Sequence, residues 1–408
     1  MTVHITAPTS PGADTNEVSP VSPTVGLAPA AVTTVIAHGG NLRLAMAQYG
    51  GQAGEWMDLS TGINPHAYPA PPIAPDAWHR LPEPDTGLID AACAYYGAPI
   101  LLPVAGTQAA IQALPRLRTH SRVAVVSPTY AEHALRWREA GHVVTEIAPA
   151  DVDVHVDHCE VLVVCNPNNP TGNRVAPDRL LAWADKLAAR GGWLVVDEAF
   201  GDMEPALSVA AHCQQPGLIV LRSVGKFFGL AGLRLGFVGA EPKLLERLSA
   251  LLGPWSISGP AQQVGCAALA DVAWQQAMRL RLATDGARLR TLLARHVAVT
   301  STSTAGISTT NTFSPSASDT DMAVANTSEV NASAINALAA GTPVTHGTDL
   351  FQWWPAAAPT ALHEHLARQR IWVRLFPDAA RGLRVGLPAA ESDWARLDLA
   401  LVGFQNRA

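Results

Sequence analysis

A chain of 408 residues, 48% hydrophobic and 15% charged, is long enough for two domains with a sizeable core between them. Its formal net charge of −6 argues against binding a phosphate backbone, so no nucleic-acid partner is expected. The five cysteines (Cys93, Cys159, Cys165, Cys213 and Cys266) are scattered, with no C-x-x-C pair. They indicate neither a disulfide framework nor a metal site, and they suit a reducing compartment.

In chain order, residues 1–32 are rich in Pro, Thr, Ala, Ser and Val without a period and read as a disordered tail, followed by an arm over 33–65. No Lys or Arg precedes Arg43 and no apolar run approaches a membrane span, so a cytoplasmic, membrane-free protein is expected. From 66 to about 258, short apolar runs alternate with helical patterns. The runs are Val123-Ala-Val-Val, Val161-Leu-Val-Val, Trp193-Leu-Val-Val, Leu218-Ile-Val-Leu and Leu235-Gly-Phe-Val. Strands of this kind, separated by helices such as 178–190, predict an α/β domain with a mostly parallel sheet covered on both faces. One long helical pattern then runs from Pro260 to about His296. A Ser-, Thr-, Asn- and Ala-rich stretch over about 300–342 reads as a surface insertion. Strands at Ile371-Trp-Val-Arg and Leu383-Arg-Val-Gly and a helix from Ser392 complete a smaller α/β domain over 259–408, with Trp353-Trp354 expected in its core or at an interface.

Three lysines occur, and two of them, Lys186 and Lys243, lie in charged helical patterns. Lys226 instead follows the Leu218 run, inside Ser223-Val-Gly-Lys226-Phe-Phe-Gly-Leu-Ala-Gly-Leu-Arg234-Leu-Gly. A lysine desolvated in such a loop has a lowered pKa and can form a Schiff base with an aldehyde cofactor. Ligands of open α/β sheets collect beyond the carboxyl ends of the strands. Four runs here end in distinctive groups: Ser127-Pro-Thr-Tyr130, Cys165-Asn-Pro-Asn-Asn169-Pro-Thr-Gly, Asp197-Glu-Ala-Phe and Ser223-Val-Gly-Lys226. Gly106, Thr107 and Gln108 precede a helical pattern from Ala109, so their N–H groups sit at a helix start that can receive an anion, and Ser223 and Arg234 complete a phosphate cradle. Asp197 follows four apolar residues and needs a cationic partner, which a protonated pyridine nitrogen supplies. These are the parts that pyridoxal 5′-phosphate requires.

The same motifs resemble the aspartate aminotransferase superfamily of fold type I, and within it the histidinol-phosphate aminotransferase branch. His38-Gly-Gly-Asn41, Ser60-Thr-Gly-Ile-Asn64-Pro and Phe200 extend the resemblance to the L-threonine-O-3-phosphate decarboxylases of cobalamin biosynthesis. The match covers about residues 36–295 and 343–405. It implies that Lys226 carries pyridoxal 5′-phosphate, that Asp197 pairs with the pyridinium, that Asn169 bonds the ring 3-oxygen and that Tyr130 stacks on the ring. Gly106, Thr107, Gln108, Ser223 and Arg234 hold its phosphate on the same ground. Arg384 matches the substrate-carboxylate arginine, and His38, Asn64 and Arg374 are weaker candidates for the substrate's ends. The family also implies a homodimer and a phosphorylated amino acid as substrate, and no metal is expected.

Two positions depart from the branch. Phe200 stands where its aminotransferases carry Tyr, leaving the 3-oxygen to Asn169. Gly225 stands where Ser or Thr is frequent, which loosens the phosphate cup or leaves part of it to a partner subunit. From the residues alone Tyr130 also suits plain packing, His38 a capping or core role, and Arg374 and Arg384 a solvent-facing side of their strands. The expected reaction is decarboxylation of L-threonine O-3-phosphate to (R)-1-aminopropan-2-ol O-2-phosphate. Histidinol-phosphate-type transamination and a non-catalytic cofactor-binding module are the alternatives, and the residues do not decide which bond at Cα breaks.

Overall fold

The computed structural model describes residues 38–302, 345–356, 358–377 and 380–405. The expected tail, the first residues of the arm and the 303–342 part of the expected insertion lie outside them. A short strand β1 (Met57–Asp58) comes first. Then follow β2 (Leu102–Val104), β3 (Arg122–Val126), β4 (Val143–Ile147), β5 (Val161–Cys165), β6 (Trp193–Asp197), β7 (Leu218–Ser223) and β8 (Gly236–Gly239). These last seven form one sheet in the order β2-β8-β7-β6-β5-β3-β4. β3 to β7 run parallel to one another, whereas β8 is antiparallel to both its neighbours. The expected alternation thus holds as far as β7. The Leu235 run reverses because the link from Ser223 to Gly236 contains only a 3-10 turn, and a parallel return needs a crossover helix.

Both faces of this sheet are buried. Val123, Val125, Val161, Val163, Val195, Ile219 and Leu221 join one core with Ile111, Trp137, Leu244 and Leu248, while Leu162, Val164, Leu194, Val196 and Val220 join another with Leu88, Leu180, Trp183 and Leu187. Alternate residues of one strand feed opposite cores, as the pleat requires, so the strands read as unbroken apolar runs.

The long pattern after Pro260 is two helices, Gly259–Ala270 and Val272–Thr302. Asp271 breaks it. Its Oδ1 accepts from the Trp274 amide at 3.0 Å, starting the second helix, while Gln275 Nε2 donates to the Ala268 and Leu269 carbonyls at 2.9 and 3.0 Å, closing the first.

β9 (His346–Thr348), β10 (Phe351–Pro355), β11 (Ile371–Trp372), β12 (Arg374–Phe376) and β13 (Gly382–Gly386) follow. A four-stranded antiparallel sheet has the order β12-β13-β10-β9, and Trp353 and Trp354 are buried in it. The single strand expected at Ile371-Trp-Val-Arg divides at Val373. β11 pairs parallel with β1, and β12 pairs with β13, because the two halves bond to different neighbours. The closing helix is Glu391–Gln405. Among the described residues no helix is long and apolar enough to cross a membrane.

Candidate active site

Lys226 is held by what lies under it. Val224, Phe227 and Phe228 are fully buried, and the Phe228 ring stacks on Trp274 at 5.6 Å while Phe227 meets the same indole edge-on at 5.5 Å. The backbone of the lysine is therefore fixed while its amine points to a pocket, 5.3 Å from the centre of the Phe200 ring. Burial, reinforced by Arg384 and opposed by Asp197, lowers the ammonium to about 8.

The pocket is formed where the parallel strands end. Tyr130, Cys165, Asn169, Asp197, Ser223 and Lys226 all line it, so the four expected strand ends do converge. Cys165 and Asp197 are in register on β5 and β6. Asp197, 5% exposed, accepts from the Ala199 amide at 3.0 Å and faces Nε2 of buried His133 at 2.9 Å. Burial by itself would push His133 down, but Cys165 and Asp197 outweigh it and hold the imidazole at about 10. His133 is a residue that sequence reasoning missed. It lies on helix Glu132–Glu139, in a segment without a distinctive motif, and only the packing of that helix brings it to β6.

At the opposite end, Gly106, Thr107, Gln108, Ser223, Gly225 and Arg234 line the same pocket. Gly106 has φ +72° and precedes helix Thr107–Ala113, whose first N–H groups have no acceptor within the helix. A Cβ on Gly106 would lie 2.5 Å from Arg234 Nη2, so glycine is what lets the guanidinium approach the helix start. Arg234 itself is anchored by Nη1 donating to the Ala231 carbonyl at 3.1 Å. Gly225 packs closely as well, since a Cβ there would be 3.2 Å from Ala231 Cα. The loop therefore closes onto Ala231 at this glycine.

Gln108 turns its side chain away from the phosphate position expected for it. Its Oε1 accepts from the Tyr130 hydroxyl at 3.1 Å and its Nε2 donates to Glu132 Oε2 at 2.6 Å, so its backbone N–H is the group left at the helix start. Buried Glu132 gathers this network, accepting also from Arg136 Nε at 2.7 Å and meeting His38 Nε2 at 3.0 Å. Tyr130, raised to about 12 by burial and then by Glu132, is thereby fixed on the wall, with the His38 ring 6.0 Å from its own. His38 thus stands behind Tyr130, outside the pocket lining.

The remaining candidates separate. Arg384, 5% exposed, is not solvent-facing: its Nη1 donates to Asn169 Oδ1 and its Nη2 to the Ser60 carbonyl. Arg374 pairs directly with Arg384 across β12 and β13 and lies over the Phe376 ring at 4.9 Å. Burial and then the neighbouring Arg374 disfavour the charged Arg384, which Asp58 only partly offsets. Asn64 is elsewhere. Its Nδ2 donates to the Phe227 carbonyl at 2.7 Å, its Oδ1 accepts from the His66 amide at 2.8 Å, and its own amide donates to the Lys226 carbonyl at 3.0 Å. These bonds tie it to the backbone that carries the lysine. The two early glycine motifs meet each other, since Gly40 N donates to Ser60 Oγ at 2.7 Å and Gly39 has no room for a Cβ against the Ser60 carbonyl.

The donor set fits pyridoxal 5′-phosphate. A lysine with a lowered pKa, a buried acid with a cationic partner, a wall tyrosine and a cradle of orphan N–H groups and an arginine surround one pocket. Below it Arg222 bonds Glu198 at 2.5 Å and Asp202 at 3.1 Å, a buried ionic triad that makes the second residue of Asp-Glu-Ala-Phe structural.

The family model for class I and II aminotransferases matches residues 57–347. A threonine-phosphate decarboxylase of Pseudomonas aeruginosa is 47% identical over 374 residues, 92% of this chain and 99% of that protein. A histidinol-phosphate aminotransferase of Aeromonas hydrophila is 30% identical over 239 residues, 55% of this chain and 66% of that protein. Among solved structures, the histidinol-phosphate aminotransferase from Sinorhizobium meliloti in complex with pyridoxal-5′-phosphate shares the fold, with TM-score 0.63 at 16% identity over 90% of this chain and 94% of that one.

Proposed function

The chain belongs to the aminotransferase class I and II family, and on that footing we propose that it is a pyridoxal phosphate-dependent lyase that decarboxylates L-threonine O-3-phosphate to 1-aminopropan-2-ol phosphate for cobalamin assembly. The similarity to the Pseudomonas decarboxylase along nearly the whole of both chains supports this over transamination, since the histidinol-phosphate aminotransferase match spans about half of this chain. The observation that carries the substrate class is the 47% identity to the Pseudomonas aeruginosa threonine-phosphate decarboxylase over 92% of this chain, together with a buried Arg384 bonded to Asn169 of the pocket wall.

The cofactor supplies an electron sink for the pair released when a bond at Cα breaks. Lys226 is the amine for its aldehyde, and a value near 8 leaves a useful neutral fraction at physiological pH. Asp197, backed by His133, would hold a proton on the ring nitrogen. Arg234, Ser223 and the amides of Thr107 and Gln108 would hold the phosphate, and Asn169 the ring oxygen, which Phe200 without a hydroxyl could not share. Tyr130 would lie against the ring. Arg384 takes the substrate carboxylate, with Arg374 beside it. Lys226, or a water, would be the group that returns a proton to Cα.

We take the seven-stranded part, 66–258, as the cofactor domain and 259–408 as the smaller domain that carries Arg384. The active form is a homodimer in the cytoplasm. The test mixes cofactor-loaded protein with O-phospho-L-threonine and, separately, with histidinol phosphate. Release of carbon dioxide from the first is expected. Its absence, with conversion of the cofactor to its amine form by the second, would transfer the assignment to an aminotransferase. Covalent cofactor with no turnover of either would leave only a binding role.

A further inference from the structure

The loop 166–175, which carries Asn169, and strand β9 belong to different parts of the fold, yet they meet with no space between them. A Cβ on Gly172, whose φ is +72°, would lie 2.5 Å from the Gly347 backbone. Arg174 spans this contact. Its Nη1 donates to the Gly172 carbonyl at 2.6 Å and to the Gly347 carbonyl at 3.1 Å, while Nε and Nη2 hold the Glu204 carboxylate at 2.8 and 2.5 Å. Gly347 pairs with Gln352 on β10, and the next residue, Trp353, pairs with Arg384 on β13. The loop and the four-stranded sheet are therefore joined twice, once at Asn169–Arg384 inside the site and once at Arg174 away from it. One attachment sets a distance, and a second sets an angle.

We propose that Arg174 is a positioning residue that latches the sheet bearing Arg384 to the loop bearing Asn169, so that the carboxylate-binding guanidinium faces the cofactor pocket at a fixed orientation. Its substrate consequence rests on the function proposed above, whereas the latch itself does not. Arginine is needed because its planar fork reaches two carbonyls and a carboxylate together, and an ammonium cannot.

The experiment compares Arg174→Ala, Arg174→Lys and Glu204→Gln with the wild type, all full-length and loaded with cofactor. In Arg174→Ala the KM for O-phospho-L-threonine should rise roughly tenfold or more, with kcat falling less than about threefold, since the reacting atoms are untouched and only orientation is lost. Arg174→Lys should behave like Arg174→Ala, and Glu204→Gln should show the same split to a smaller degree. Amide hydrogen exchange, measured without substrate, should quicken together in 166–175 and 346–355. A lower melting temperature with unchanged KM and unchanged exchange in 346–355 overturns the proposal, as does full rescue by lysine. Should Arg174→Ala fail to fold, Glu204→Gln carries the same two readouts. If the wild type does not act on O-phospho-L-threonine, the functional assignment fails while the exchange measurement still decides the latch.

Discussion

Nε2 of His133 lies 2.9 Å from Oδ2 of Asp197, and both side chains are buried. The contact gives the acid at the end of β6 a cationic partner built into the chain, so the buried carboxylate is not left alone before the cofactor arrives.

Stability should therefore depend on pH. A histidine held above its unfolded value of 6.5 binds its proton more tightly in the folded state, so the pair's contribution is complete below pH 6.5 and is lost as pH rises toward about 10. Denaturant midpoints of cofactor-free protein should decline across that window. His133→Asn should flatten the decline, and an equal slope in the variant would show that other groups cause it.

Covalent uptake of pyridoxal phosphate should follow the neutral amine of Lys226. Its rate in cofactor-free protein, read by mass after borohydride reduction, is expected to rise with a midpoint near 8, well below the 10.5 of an exposed lysine. Removing a nearby positive charge with Arg384→Ala should move that midpoint upward. Lys226→Ala should take up no cofactor covalently.

Truncating one partner of a buried, hydrogen-bonded charge pair costs about 2–5 kcal/mol. Arg384→Ala should accordingly raise KM for O-phospho-L-threonine by roughly 30-fold or more. Arg384→Lys should recover little, because a single ammonium cannot bond Asn169 and Ser60 and still present a fork to the substrate. Steady-state kinetics decide this, with the cofactor's visible absorption confirming that the variants remain loaded.

Arg222→Met should destabilise the protein by about 3–5 kcal/mol in urea denaturation, because Glu198 and Asp202 are then buried without a counter-charge. Adding Glu198→Gln and Asp202→Asn should return much of that loss. A surface-like effect under about 0.5 kcal/mol would mean the triad is not closed to water.

Gly106→Ala should leave the fold intact and weaken cofactor binding. The new Cβ would meet Arg234 Nη2 at 2.5 Å in a backbone conformation with φ +72°, so the guanidinium must withdraw from the helix start. Equilibrium titration with pyridoxal phosphate measures the change.

Residues whose role follows from their immediate neighbours were legible in the linear chain. Asp197 closes a four-residue apolar run, Lys226, Asn169 and Tyr130 lie within about five residues after theirs, and parallel strands place such ends on one edge, so their convergence was implied by local pattern and general topology. What only the tertiary structure decided depends on contacts between distant segments. His133 reaches Asp197 from 64 residues away. Asn64 bonds the backbone at Lys226 and Phe227, Arg384 is buried against Ser60 while its strand pattern also suited a solvent face, and β8 runs backwards because its connection is too short for a helix. Hydrophobic periodicity sets which residues are inside, but it carries no information about which distant polar group each buried charge will find. That partner is selected by packing.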